Sequence, residues 1–173
     1  MKVKLLGTSI AVASLMLASV GALAQSKDET VGSFHYVHKQ DVFDDSDRSF
    51  VFTMPEDIAN DRTAALTWRC LSDGLNVVYM HGTYYSGDSD SEILVRYRID
   101  QNPASEYQYW GLFSDNKSSY IPMNQVNSFT KEAINGSMIH IEAVDPADGE
   151  RVRDSFKLNG LGEAIKLLSC YTP

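Results

Sequence analysis

The segment Ile93-Leu94-Val95-Arg96-Tyr97-Arg98-Ile99-Asp100 decides the fold class of this chain. Its first, third, fifth and seventh residues are apolar or aromatic, whereas Arg96, Arg98 and Asp100 stand at alternate positions. Successive side chains of a β-strand point to opposite faces of a sheet. The alternation therefore predicts a strand with one buried face and one polar face.

The same pattern extends to both sides of this strand. Further strands are predicted over 49–54, 66–70, 75–83, 107–114, 137–144 and 151–158, with Asp73-Gly74 as a turn. Two helices are predicted, one over 126–134 that stops at Asn135-Gly136, and one over 160–169 with Asn159 as its cap. The fold prediction is mainly β with minor α: a curved antiparallel sheet or small sandwich with a C-terminal helix.

The first residues have the pattern of a secretory signal. Lys2 and Lys4 precede an apolar stretch that ends at Ala22-Leu23-Ala24, a small-x-small cleavage site. The predicted organisation is a signal peptide over 1–24, a flexible lead-in over 25–43 and a single β-rich domain over 44–173. We expect a periplasmic or secreted bacterial protein with no membrane span after cleavage.

The charge of the chain restricts its partners. Its formal charge is -8, and loss of Lys2 and Lys4 would make it -10. An acidic protein is poorly suited to nucleic acid, so we expect a protein partner and no nucleic acid.

Two cysteines, Cys70 and Cys170, remain after signal cleavage. Only one intramolecular pairing exists, and exported proteins keep disulfides. A bridge closing a loop of about 100 residues contributes roughly 4.7 kcal/mol on the chain-entropy model. The alternative is a reactive cysteine, which the lack of a Cys-x-x-Cys motif and of a neighbouring histidine disfavours.

Recognisable catalytic motifs are absent from the sequence. It has no glycine-rich phosphate loop and no Gly-x-Ser-x-Gly elbow. His35 and His38 lie near several aspartates but lack a rigid helical frame, while His81 and His140 fall in predicted strands. We therefore predict no catalytic residues, no metal and no cofactor.

The arginines on predicted strands are the most informative polar residues. Arg96 and Arg98 share a face with Asp100, and guanidinium groups pair well with carboxylates. Aromatic residues between 107 and 110 could cover the arginine stems. The interpretation stays open between a structural arginine–carboxylate network and a ligand-binding face. Its candidate residues are Arg69, Arg96, Arg98, Asp100 and Trp110.

Several segments spread over about residues 44–170 form an ordered set of motifs. They are Asp44-Asp45-Ser46, Leu66-Thr67-Trp68-Arg69-Cys70, Val95-Arg96-Tyr97-Arg98-Ile99-Asp100 with Pro103-Ala104, Trp110 with Ser114-Asp115 and Pro122, and Phe156-Lys157-Leu158-Asn159-Gly160-Leu161-Gly162-Glu163-Ala164-Ile165 with Cys170. Together and in this order they resemble the TagO/VasI family of periplasmic proteins associated with type VI secretion.

The resemblance implies an exported β-rich domain with a Cys70–Cys170 bridge and a non-enzymatic accessory or binding role beside a secretion apparatus. It implies no catalytic residues. A second hypothesis is a periplasmic inhibitor of a basic hydrolase such as lysozyme, which the acidic charge would attract. A third, an enzyme built on the histidines, ranks last.

Overall fold

The computed structural model describes residues 29–57 and 62–172. The predicted signal peptide and residues 25–28 lie outside these ranges. Within them the chain forms ten strands: β1 (Glu29–Val31), β2 (Phe34–Val37), β3 (Phe50–Thr53), β4 (Ala65–Leu71), β5 (Gly74–Met80), β6 (Glu92–Ile99), β7 (Gln108–Leu112), β8 (Ser118–Tyr120), β9 (Met138–Val144) and β10 (Arg151–Lys157).

The strands form one open antiparallel sheet in the order β1-β2-β3-β4-β5-β8-β7-β6-β9-β10. Six strands separate β3 from β10, yet Pro55 forms a bridge with Phe156, and the Glu56 N–H donates to the Ser155 carbonyl at 3.0 Å. The sheet must therefore curve until the continuation of β3 reaches β10. The predicted mainly β fold with a curved antiparallel sheet is confirmed.

Two helices lie against the inner surface of the sheet. Helix α1 (Met123–Ile134) places Phe129 between Trp68 and Trp110, with ring centroids 6.1 and 6.0 Å apart. The Trp68 indole N–H donates to the Thr130 hydroxyl at 2.9 Å, which satisfies a polar group in the core. The predicted helix that ends at Asn135 is confirmed and begins three residues earlier than predicted.

The second helix is shorter than predicted. Helix α2 covers only Leu161–Ala164 and continues as a 3₁₀ turn over Ile165–Leu167. Gly160, not Asn159, precedes the helix, with a φ of 92° that favours glycine. The apolar residues of this segment, Leu161, Ala164, Ile165 and Leu168, are nevertheless buried.

The predicted disulfide is present. Cys70 at the end of β4 and Cys170 after the 3₁₀ turn are bonded, with their Cα atoms 5.6 Å apart. The bridge attaches the C-terminal helical segment to the sheet. No free cysteine occurs in the part of the chain that the structure describes.

The flexible lead-in predicted over 25–43 is corrected for residues 29–37, which form the hairpin β1–β2. Phe34 is fully buried and lies edge-on to Trp68, with centroids 5.8 Å apart. Gly32 turns the hairpin with a φ of 61°, and the Ser33 N–H donates to the Asn159 carbonyl at 2.8 Å. One buried aromatic residue and backbone hydrogen bonds thus hold a segment whose composition is largely polar.

Candidate functional site

The structure separates the five predicted candidate residues. Trp110 is fully buried on the inner face of β7, so it belongs to the core and not to a binding face. Asp100 follows β6 in a left-handed conformation, φ 51°, and its carboxylate accepts the backbone N–H groups of Ser137 and Met138. Asp100 therefore fixes the connection before β9.

Arg69 lies away from the other arginines. It is half-buried in β4, and its Nε has no hydrogen-bond partner among the described residues. Burial, with a further contribution from the positive charge of Arg48, lowers the pKa of Arg69. Arg69 does not share a surface with Arg96 and Arg98.

Arg96 and Arg98 do lie together, on the outer face of β6. In the sheet register Arg96 lies opposite Glu142 of β9, and Glu142 lies opposite Arg153 of β10. A second row lies two positions further along the same three strands, and it consists of Arg98, His140 and Ser155. We call this surface the arginine face; its members are Arg96, Arg98, Tyr107, His140, Glu142, Arg151, Arg153 and Ser155.

Glu142 is the centre of the arginine face. Its side chain is only 6% exposed, whereas the side chains of Arg96, Arg151 and Arg153 are 40%, 54% and 70% exposed. Its Oε1 lies 2.8 Å from Arg96 Nη2 and 3.8 Å from Arg151 Nη1, and its Oε2 accepts from Arg153 Nε. One carboxylate is thus enclosed by three guanidinium groups.

The electrostatics of Glu142 follow from these partners. Burial alone would raise the pKa of this carboxyl group. Hydrogen bonds from Tyr107 and Arg153, with the charges of Arg96 and Arg153, outweigh burial and lower the pKa to about 2. Glu142 is therefore ionised throughout the physiological range and is too weak a base for proton transfer near neutral pH.

Tyr107 covers one side of the cluster. The Arg96 guanidinium carbon lies 4.8 Å from the centre of its ring, a cation–π contact, and the Tyr107 hydroxyl donates to Glu142. The hydrogen bond to Glu142 raises the pKa of Tyr107. Hydrogen bonds between Ser105 and Tyr97 hold the preceding loop against β6. The expectation that an aromatic side chain covers an arginine stem holds for Tyr107.

The arginine face carries excess positive charge on an acidic protein. Four arginines and one glutamate give it a formal charge of +3 (4 − 1), with His140 neutral, whereas the chain has -8. Arg98 forms no ion pair within the described residues, and the imidazole of His140 is hydrogen-bonded through Nδ1 to Ser155 Oγ at 2.7 Å. A groove of about 340 Å³ follows these side chains. The arrangement is suited to holding anions.

Sequence reasoning missed the contributions of β9 and β10. In the predicted strands, apolar Ile139, Ile141 and Val152 alternate with polar His140, Glu142 and Arg153. This alternation indicates that the polar side chains point away from the core. The sequence gives no local signal for the pairing of β6 with β9, which joins residues 40 to 50 positions apart.

A second polar cluster lies inside the curved sheet, and we call it the interior cluster: Arg62, Tyr79, His81, Tyr85 and Asp154. The Asp154 side chain is fully buried, pairs with Arg62 and accepts the Tyr79 hydroxyl. Arg62 Nη1 also donates to the His81 carbonyl at 2.7 Å. Burial raises the pKa of Tyr79 well above its usual value.

His81 is the unusual member of the interior cluster. It is fully buried, stacks on Tyr85 with centroids 4.5 Å apart, and neither ring nitrogen has a partner among the described residues. Burial lowers its pKa to about 4, against smaller opposing effects of the Thr83 backbone and the Asp115 charge. The ring is therefore neutral at neutral pH and acts as core packing.

Within residues 29–57 and 62–172, no group of three or more His, Cys, Asp and Glu side chains is placed to hold a metal ion. In the same ranges, no helix combines the length and the apolarity needed to cross a membrane.

Comparisons with known proteins place the fold alone. No family model matches the chain, and no curated protein matches it. Among solved structures, invasion associated protein B from Bartonella henselae is similar: 16% sequence identity, a TM-score of 0.51, and coverage of 81% of this chain and 94% of that one. At this identity the similarity shows that the two chains share a fold, and the TagO/VasI resemblance stays a prediction.

Proposed function

We propose that the protein is an exported, non-enzymatic binding protein that uses the arginine face to bind an anionic partner protein. One observation carries the proposal: on the outside of an otherwise acidic domain, three arginines surround the buried carboxylate of Glu142, and a fourth, Arg98, lies on the same face without an ion pair among the described residues. Such an excess of guanidinium groups is more than the fold needs to neutralise Glu142.

The charge distribution supports binding at this face. A positive surface on a protein of negative net charge attracts an anion locally, so it orients an approaching anionic partner. Exposed ion pairs are individually weak, about 0.2–1 kcal/mol each, so a stable complex needs several of them together with apolar contacts at its edge. Tyr109, 53% exposed on β7 beside Leu94 of β6, offers such a contact.

The chemistry of the titratable groups supports a non-enzymatic role. A general base works best with a pKa near the working pH. The pKa of Glu142 lies far below that range, and the His81 side chain is fully buried. The cleavage site at Ala22-Leu23-Ala24 and the Cys70–Cys170 bridge support export to an oxidising compartment. The TagO/VasI resemblance suggests that the partner belongs to a type VI secretion apparatus.

Cross-linking in the native cell envelope tests the proposal. The wild-type protein is compared with Arg98→Gln/Arg153→Gln, which removes two charges from the face, and with Lys131→Gln/Lys166→Gln, which removes two charges from the helical side. We expect a partner that the wild type and the lysine variant capture and the arginine variant loses. Equal capture by all three proteins would contradict the proposal.

The same experiment addresses the alternative function. If the captured protein is a basic hydrolase such as lysozyme and its capture is independent of the arginines, the acidic surface binds it and the inhibitor hypothesis gains support. Residual lysozyme activity at excess protein then measures inhibition directly.

A further inference from the structure

We infer that the arginine face binds an extended acidic peptide segment, with carboxylate side chains at alternate positions. This inference rests on the proposed function and names the ligand chemistry of the same site. The peptide would bind first at the row Arg98–His140–Ser155 and second at the exposed pair Arg151 and Arg153.

The face already contains one example of the contact it would make. Glu142 is held by Arg96 from β6 and by Arg153 from β10, on either side of its own strand. A carboxylate between guanidinium groups is therefore the arrangement that this part of the sheet stabilises, through charge-assisted hydrogen bonds.

The neighbouring row has the same geometry and lacks the carboxylate. There His140 takes the central place that Glu142 has in the first row, and Ser155 takes the place of Arg153. The hydrogen bond between Ser155 and His140 fixes the imidazole, and the exposed Arg98 guanidinium has no ion pair among the described residues. A carboxylate from a ligand would give Arg98 the partner that Glu142 gives Arg96.

The spacing of the rows fits an extended peptide. The two rows are two residues apart on each strand, which corresponds to about 7 Å. Alternate side chains of an extended peptide are separated by the same distance, since they follow the same period. A segment lying along β9 and β10 can thus place one carboxylate at Arg98 and the next ones toward Arg153 and Arg151, which keep most of their exposure.

The backbone of the face favours carboxylates over an isolated phosphate. Phosphate sites commonly rely on backbone N–H groups at helix ends or in loops. Strand β9 pairs with β6 on one side and β10 on the other, so its backbone groups are engaged within the sheet. Along β9 the face therefore offers side-chain donors only, and the donors of the face are spread over three rows, which suits several separate anionic groups.

Calorimetric titration of the purified exported protein tests this inference. The probes are a capped peptide that alternates glutamate with glycine, the same peptide with glutamine, and inorganic tripolyphosphate. We expect saturable binding of the glutamate peptide and none of the glutamine peptide. Arg98→Gln/Arg153→Gln should weaken binding about tenfold, the loss of two exposed contacts, whereas Lys131→Gln/Lys166→Gln should leave it unchanged.

Each other outcome has a defined meaning. Tighter binding of tripolyphosphate than of the glutamate peptide would overturn the inference in favour of a phosphate-bearing ligand. Equal affinity in the two double variants would overturn it by removing the arginines from the contact. If the arginine variant loses the envelope partner but the peptide does not bind, the proposed function stands and only this inference fails.

Discussion

Two carboxylates on neighbouring strands have similar partners and opposite surroundings. Asp154 of β10 points inward, where it pairs with Arg62 and accepts a hydrogen bond from Tyr79. Glu142 of β9 points outward, where three arginines and Tyr107 surround it. The interior cluster pairs one carboxylate with one guanidinium group, whereas the arginine face has more guanidinium groups than its carboxylate can neutralise. The first arrangement serves the fold, and the second leaves cationic groups for a ligand.

The interior pair should give the largest effect on stability. Asp154→Asn leaves the Arg62 charge buried without a counter-ion, so we expect a loss of about 3–5 kcal/mol in the free energy of unfolding. Urea unfolding at pH 7 measures it. The matched control is Arg62→Met/Tyr79→Phe/Asp154→Leu, which removes all three polar groups and should recover most of the loss. A loss below about 1 kcal/mol for Asp154→Asn would show that solvent reaches the pair.

The next effect is the acid sensitivity of the interior cluster. Since the folded-state pKa of His81, about 4, lies below the unfolded value of 6.5, its contribution is complete above pH 6.5 and is lost as the pH falls toward 4. The loss is on the order of 3 kcal/mol. His81→Phe keeps an aromatic ring against Tyr85 and should flatten the unfolding free energy between pH 6.5 and 4. An unchanged slope would assign the acid sensitivity to other groups.

Glu142 should have a smaller effect and a different pH window. Glu142→Gln removes a carboxylate whose partners are largely exposed, so we expect a loss of about 2 kcal/mol at pH 7, less than for a fully buried pair. The folded pKa of about 2 lies below the ordinary value of 4.5, so this contribution is present above pH 4.5 and disappears as the pH falls through 2. The unfolding curves of variant and wild type should therefore converge near pH 2. A constant difference down to that pH would contradict this account.

The smallest effect on stability should come from Tyr107, the tyrosine of the arginine face. Tyr107→Phe removes one hydrogen bond at a side chain that is 38% exposed, and we expect a loss of about 0.5–1 kcal/mol. Tyr79→Phe removes the equivalent bond in the interior, where the unsatisfied Asp154 should raise the loss to about 2 kcal/mol. Chemical denaturation of both variants gives the two losses in the free energy of unfolding, which are then compared. Equal losses would remove the distinction between the two clusters.

The fold was predictable from local alternation, but the two clusters were predictable only in part. The alternation from Ile93 to Ile99 placed Arg96 and Arg98 correctly on a polar face. The same parity rule puts Asp154 inward, between Val152 and Phe156. Its partner Arg62 lies 92 residues earlier, and such long-range pairing has no local signal.

Two errors have a common physical cause. Trp110 was grouped with the arginines because aromatic residues cluster near it in sequence, yet its parity is opposite to that of Tyr109 and it faces the core. The polar composition of residues 29–37 predicts flexibility, although Phe34 is fully buried there and is the main apolar anchor of the hairpin. In both cases burial depends on one side chain's direction, which composition does not report.

The position of the Cys70–Cys170 bond has a consequence for how the chain matures. Because the two cysteines are 100 residues apart, the Cys70 thiol has no partner until the chain that contains β5 to β10 has been synthesised. During that interval no correct or incorrect partner exists within the chain, because it has only two cysteines. The sole hazard is a mixed disulfide with a foreign thiol. Formation of the Cys70–Cys170 bond therefore requires a thiol oxidant but no disulfide isomerase.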